Sequence, residues 1–366
     1  MSPNTTMSWR TALPIWSIAF PILGVVLVLL NAAKFGNLGT IAAGIVLVGS
    51  VIAAVHHAEV VAHRVGEPFG TLVLALAVTV IEVSLIVSLM LSGGPDVSTL
   101  ARDTVFAAVM IILNGIVGVC LLVGGLRHLE QRFTLRGAST ALSVLAAMSI
   151  LSLVLPNYVL SRPGPEFAPS QLVFLAIVSL VLYGTFVMVQ TVRHRDYFLP
   201  EEEPPSHDTH AEPPDNTATW VAFGVLLVAL VGVVFLAKGL APTVEAGVKG
   251  ADLPLAVVGI VIAAVVLAPE SLAALNAARR NRIQTSLNLA LGSALATIGL
   301  TIPAVAVISI MLNIPLSLGI DPKSMALLGL SLFISTLTLG TGRTTVLQGT
   351  VHLVILATYL FMTIVP

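Results

Sequence analysis

Two carboxylates stand where carboxylates are costly. Glu82 lies within the apolar run Ala77-Val78-Thr79-Val80-Ile81-Glu82-Val83-Ser84-Leu85, and Glu270 follows Ala268-Pro269 inside a second apolar run. A charge at the centre of a bilayer costs on the order of 2.5–3.5 kcal/mol by insertion scales, and such residues usually face a protein interior or a water-filled cavity. Burial and a neighbouring carboxylate both favour the protonated form. The same oxygens suit a hard cation. Glu82 and Glu270 are therefore expected to bind a metal cation or a proton by turns, which is the minimal chemistry of cation–proton exchange. The plainer alternative, a protonated Glu hydrogen-bonded across helices, explains one such residue more readily than a matched pair.

Neutral oxygens accompany them. Thr79, Ser84 and Ser271 flank the two Glu residues. Pro269 removes a backbone hydrogen bond, so a break is expected in the helix carrying Glu270, of the kind membranes tolerate where backbone lines a cavity. The next apolar run of each half is also marked: Asn114 with Gly115 and Gly118, then Asn288, Gly292-Ser293, Thr297 and Pro303. The glycines suit close helix packing, while Asn114 and Ser293 are candidate ligands alongside Thr79.

A second constellation is His56-His57-Ala58-Glu59-Val60-Val61-Ala62-His63-Arg64-Val65-Gly66-Glu67. Glu59 and His63 share a helix face, but the spacing is not the H-E-x-x-H of a zinc protease. Its polar groups either end a helix in water or form a vestibule in which Glu59, His63 and Glu67 collect ions or gate their path. His352, in the last apolar run, is either packing, a gating residue or a proton partner.

These residues must be positioned by membrane helices. Of 366 residues, 57% are hydrophobic and 10% charged, against about a quarter charged in a soluble domain. This excludes a cytosolic enzyme, a nucleic-acid binder and a disordered chain. A spanning helix needs about 20 apolar residues, and eleven runs qualify: roughly 13–32, 40–62, 69–91, 104–126, 137–156, 170–191, 219–238, 253–276, 284–312, 323–340 and 347–365. The runs are continuous rather than alternating, which argues against a β-barrel. The lone Cys120 forms no internal disulfide. Ser92-Gly93-Gly94-Pro95-Asp96 and Arg162-Pro163-Gly164-Pro165 are turn clusters. No small-residue cleavage site precedes the first run, which is expected to stay.

Counting inter-helix segments alternately, 11 of the 17 Lys and Arg fall on the side of the N-terminus. That side is expected to be cytoplasmic, and an odd helix count then puts the C-terminus outside. The largest polar segment, 192–218, holds Glu201, Glu202, Glu203, His194, His207, His210 and five prolines. It reads as a solubilising linker, or as a pH sensor through His207 and His210. Glu82 and Glu270 are 188 residues apart, about half the chain. Five runs precede the linker after the first, and five follow it. Five is odd, so the second set enters the membrane from the opposite side, the inverted repeat of a transporter. The expected organisation is a leading helix in 1–35, a first five-helix repeat in 36–191, the linker 192–218, and a second repeat in 219–366: an all-α polytopic membrane protein of about 11 transmembrane helices.

The segment Gly66-Glu67-Pro68-Phe69-Gly70-Thr71 followed by Glu82, and Ala268-Pro269-Glu270 with Gly292-Ser293-Ala294-Leu295-Ala296-Thr297 and Pro303, resemble the two α-repeats of the cation–proton exchanger family within the calcium/cation antiporter superfamily. The tail Gly340-Thr341-Gly342-Arg343-Thr344-Thr345-Val346-Leu347-Gln348-Gly349 fits as well. The likeness is to the bacterial ChaA-type calcium/sodium/potassium–proton antiporter branch and covers nearly the whole chain. It implies two inverted five-helix repeats, export of calcium, sodium or potassium against protons by alternating access in a bacterial inner membrane, and a cation site at Glu82 and Glu270. Many calcium–proton exchangers carry a Gly-Asn pair ahead of each Glu. Here Val78-Thr79 and Leu267-Ala268 stand there, which removes amide oxygens suited to calcium and leaves sodium or potassium open. The expected partners are lipid, cations and protons, with no cofactor and no nucleic acid. The competing readings are a passive channel or uniporter without proton coupling, and an intramembrane enzyme, for which no H-E-x-x-H or G-x-S-x-G motif is present.

Overall fold

A computed structural model describes residues 13–31, 36–66, 69–91, 98–199 and 214–365. Eleven helices account for most of these: α1 (Ile15–Leu29), α2 (Gly36–Val65), α3 (Phe69–Met90), α4 (Leu100–His128), α5 (Leu135–Tyr158), α6 (Pro169–Arg193), α7 (Asn216–Gly250), α8 (Ala256–Arg279), α9 (Ile283–Leu312), α10 (Pro322–Leu339) and α11 (Val346–Ile364). All but α1 are long and apolar enough to cross a membrane. Helix α1, with 15 residues, is shorter than the apolar run 13–32. The chain leaves the helix after Leu30, with Asn31 at φ +52°, a conformation that Asn tolerates better than most residues. In the other direction α7 outruns its apolar window, continuing through Lys238 and Pro242 to Gly250.

The chain divides into two compact units that each draw on both halves of the sequence. One unit comprises Met1–Gly93 and Glu202–Gly247, the other Gly94–Glu201 and Val248–Pro366. In the first unit, Ala43 and Val46 of α2 pack with Leu236 and Leu240 of α7, with Phe20 and Leu27 of α1 against them. Leu13, Val61, Ala218 and Ala222 form a second cluster. The turn from α2 into α3 depends on two glycines. Gly66 ends α2 at φ +73°, and a Cβ on Gly70 would strike the Ala62 carbonyl.

In the second unit α4 is the central helix. Val105, Ala107, Val109, Met110, Ile112 and Leu113 are all at most 1% exposed. It is not a uniform α-helix: Ile111–Ile116 winds as a π-helical turn between two α segments. A second π turn, Thr297–Thr301, interrupts α9, and Pro303 just beyond it cannot donate a backbone hydrogen bond. At one end of this unit the strands β1 (Gln131–Arg132) and β2 (Arg343–Thr344) pair antiparallel, joining the loop after α4 to the loop before α11. At the other, Asn157 Nδ2 donates to the Ile320 carbonyl at 3.0 Å and Arg102 to the Gly319 carbonyl at 2.9 Å.

Candidate functional site

In the first unit Glu82 is 2% exposed on α3. One turn earlier Thr79, also buried, donates its hydroxyl to the Ala75 carbonyl at 2.8 Å. Ser84 does the same to Val80 at 2.5 Å. A hydroxyl whose proton is committed to its own helix has only lone pairs left to offer. Thr79 and Glu82, at i and i+3, share a face, so this face presents acceptors to whatever approaches it.

The second unit repeats the pattern on α8. Glu270 is half-buried, and Ser271 donates to the Leu267 carbonyl at 2.6 Å. The break expected at Pro269 is absent: α8 runs unbroken from Ala256 to Arg279 with Pro269 inside it, and α3 is likewise continuous. Irregular winding occurs instead in the following helices, as the π turns of α4 and α9, with two more π turns at Ile150–Val154 in α5 and Val189–Arg193 in α6. These replace i→i+4 bonds locally and frequently mark functional sites.

Two contacts set the register of α8 on α4. Gly259 packs on the Asp103–Thr104 backbone, where an added Cβ would come within 2.9 Å. At the far ends His128 Nε2 faces the Arg279 carbonyl at 3.1 Å. The two helices are therefore parallel. Eleven residues beyond Gly259 is Glu270, and eleven beyond Asp103 is Asn114, each about 16 Å along at 1.5 Å per residue. Glu270, between these two contacts, thus lies near the level of the π turn, on which α8 packs. Helix α9, with half-buried Ser293, packs on both α8 and this turn.

Asn114 is 0% exposed, and both ends of its amide have partners. Nδ2 donates to Ser331 Oγ at 2.9 Å, and Oδ1 faces His352 Nδ1 at 3.4 Å. Ser331 donates onward to the Leu327 carbonyl at 2.7 Å. Helix α11 can bring His352 this close because small residues face each other. A Cβ on Gly118 would lie 3.0 Å from His352 Cβ, and Gly349 rests on the Leu122 backbone.

Among the vestibule or gating candidates, His352 is completely buried on α11. Glu59 and His63 are exposed on α2. Their neighbour His57 is buried, its ring 2.9 Å from the Ser17 carbonyl, and ties α1 to α2. Glu67, His207 and His210 lie outside the described residues. Asn288 serves packing, donating to the Phe198 carbonyl at 2.6 Å. Ser331 has no place in the reading of the sequence. Its signal was the spacing Ser331, Ser335, Thr338 in an apolar helix, one polar stripe that is buried throughout. Among the described residues no three His, Cys, Asp or Glu side chains converge.

Comparison with known proteins decides the family. Residues 35–192 and 221–365 match the sodium/calcium exchanger protein family. The chain belongs to that family. It is a transport protein of the membrane and not an enzyme. It is 50% identical, over 96% of its length and 97% of the relative's, to a Sinorhizobium fredii protein provisionally named ionic transporter y4hA. It is 36% identical, over 94% of each, to the sodium-potassium/proton antiporter ChaA of Escherichia coli. The fold matches the structure of native YfkE with a TM-score of 0.74 at 16% identity, covering 96% of this chain and 100% of that one. It also matches the H+/Ca2+ exchanger CAX with a TM-score of 0.67 at 14% identity, covering 94% and 88%.

Proposed function

We propose that the chain is a secondary active antiporter that exports sodium, potassium or calcium in exchange for protons, with the carboxylates of Glu82 and Glu270 binding cation or proton by turns. The observation that carries this is Glu82, 2% exposed within a membrane-length apolar helix. An ionisable group so placed is costly unless it is used. The chemistry comes from the relatives: ChaA of Escherichia coli is named for sodium, potassium and proton, and the Aphanothece halophytica relative, 24% identical, for calcium and proton. Thr79 on α3, and Asn114 and Ser293 in the second unit, add neutral oxygens. Access alternates between the two sides of a bacterial inner membrane, with the N-terminus cytoplasmic and the C-terminus outside. The sequence halves 36–191 and 219–366 act as inverted repeats. The exposed Glu59 and His63 draw cations to one mouth.

The test is cation-induced collapse of a pH gradient in inside-out vesicles, with sodium, potassium and calcium added in turn. The expected result is collapse by at least one cation, lost in Glu82→Gln and in Glu270→Gln while both variants remain folded and membrane-inserted. Normal exchange in both variants would sink the assignment of the carboxylates. Cation flux that leaves the proton gradient untouched would make the protein a channel or uniporter instead.

A further inference from the structure

We propose that His352 and Ser331 are positioning residues for the Asn114 side-chain oxygen, and that through it they set the affinity for the transported cation. This rests on the antiporter reading above and extends the site to two helices, α10 and α11, that carry neither carboxylate.

An asparagine amide can turn over and present either an oxygen or an NH2 group. Here a directional chain of hydrogen bonds decides which. Ser331 has one proton, and both groups that can take it, the Leu327 carbonyl at 2.7 Å and the weaker acceptor Met110 Sδ at 3.5 Å, are acceptors only, so its Oγ accepts from Asn114. Nδ2 of Asn114 must then face it, at 2.9 Å. Oδ1 is left on the opposite edge of the amide, facing His352 Nδ1 at 3.4 Å. For that contact to be a hydrogen bond, Nδ1 must carry the proton, and the ring also bonds the Leu113 backbone beside Asn114. Asn114, Ser331 and His352 are each 0% exposed, so bulk water does not substitute for a missing member and each loss is felt in full.

A carbonyl oxygen has two lone pairs. His352 meets one, and the other stays available to a cation. The π turn that bears Asn114 touches four helices: α8 and α9, which carry Glu270 and Ser293, and α10 and α11, which carry Ser331 and His352. The amide is therefore held by two helices, α10 and α11, that carry no candidate ligand of their own. Without His352 or Ser331 the amide is free to turn, and its NH2 dipole would then repel the ion. Residues that orient a metal ligand typically change affinity or activity by 10–100-fold when removed.

The experiment uses the full chain in proteoliposomes with a trapped pH dye, adding sodium, potassium and calcium separately. His352→Leu should raise the KM for the exchanged cation about tenfold, with the maximal rate little changed. His352→Gln, which keeps an N–H donor, should recover most of that loss. Ser331→Ala should also raise KM, and the double variant should be no worse than the more severe single, because both act on one amide. In an Asn114→Ala background His352→Leu should do nothing further. Unchanged KM in both single variants, or a full His352 effect persisting without Asn114, would overturn the proposal. Should His352→Leu fail to fold, Ser331→Ala and the Asn114→Ala pair carry the same decision. A wild-type protein that exchanges none of the three cations for protons defeats the antiporter reading itself. A working wild type with indifferent variants defeats only the positioning role.

Discussion

Gly259 rests directly on the backbone of Asp103 and Thr104, so that a Cβ at this position would stand 2.9 Å from main-chain atoms that cannot rotate away. This crossing fixes the depth of α8 against α4, and with it the depth of Glu270 relative to Asn114. Gly259→Val should destabilise the protein by about 1–3 kcal/mol, the usual cost of overpacking a closed interior. It should also raise the KM for cation, by shifting one layer past the other. Thermal unfolding in detergent and vesicle exchange check the two effects. Gly292, with nothing within 4 Å of its Cβ position, should accept Ala without loss of stability.

Arg343 should behave oppositely, although it lies in a segment that resembles the exchangers. Its pair with Glu130 spans 3.2 Å, but the two side chains are 58% and 44% exposed. Exposed pairs of this kind contribute about 0–1 kcal/mol. Arg343→Ala should leave the unfolding temperature nearly unchanged, and a large drop would show that the pair bears more than its exposure suggests.

Much of this architecture was legible in the residues. The apolar runs from 40–62 to 347–365 correspond to ten helices with ends mostly within a few residues, because continuous hydrophobicity over membrane length admits few alternatives. Glu82 and Asn114 stood out because polar groups are rare in such runs, and both are buried. The division into compact units was not legible: the unit containing Glu82 takes α1 to α3 from one half and most of α7 from the other, and contacts of that range leave no mark on local composition. The π turns were missed for a related reason. Pro269 looked like the breaker, yet α8 accommodates it while Ile111–Ile116, which has no proline, winds differently. The partners of that turn are Ser331 and His352, more than 200 residues away.

Asp321 gives the second unit an acid-sensitive cap. Its carboxylate accepts from the Ser324 backbone at 3.0 Å and from the Ser324 hydroxyl at 2.6 Å at the start of α10. Partial burial would push its pKa up, but the Ser324 hydrogen bonds and the Lys323 charge outweigh this and hold it below the usual carboxylate value. A folded-state pKa below the unfolded value of about 3.9 means the carboxylate stabilises the fold above that pH, and the contribution is lost as pH falls through the lower folded value. Asp321→Ala should cost about 0.5–2 kcal/mol at neutral pH, as for other helix caps. Unfolding curves between pH 7 and pH 2 should converge for the two proteins at the acid end. A constant gap would mean the loss is not one of charge.

Gln131 joins three loops that no local sequence signal connects. It is 2% exposed. Its Nε2 donates to the Ala278 carbonyl at 3.1 Å and to Asn281 Oδ1 at 2.9 Å, while its backbone N–H reaches Thr344 Oγ1 at 3.2 Å. The loop after α4 is thereby tied to the turn between α8 and α9 and to the strand before α11. Gln131→Leu keeps much of the volume but removes two hydrogen bonds, one to exposed Asn281 and one to the Ala278 carbonyl, which keeps the Asn281 backbone N–H at 3.2 Å; the expected cost is that of ordinary hydrogen bonds, about 0.5–1.5 kcal/mol each. Gln131→Glu removes the same donors and adds a charge, so it should be worse. The expected order of thermal stability in detergent is wild type above Gln131→Leu above Gln131→Glu. Because the turn that Gln131 holds ends α8, both variants should also show increased hydrogen exchange across residues 278–284, with α10 unaffected. Equal protection of that turn in wild type and Gln131→Leu would show that the backbone pairing of β1 with β2 holds this end of the unit without the side chain.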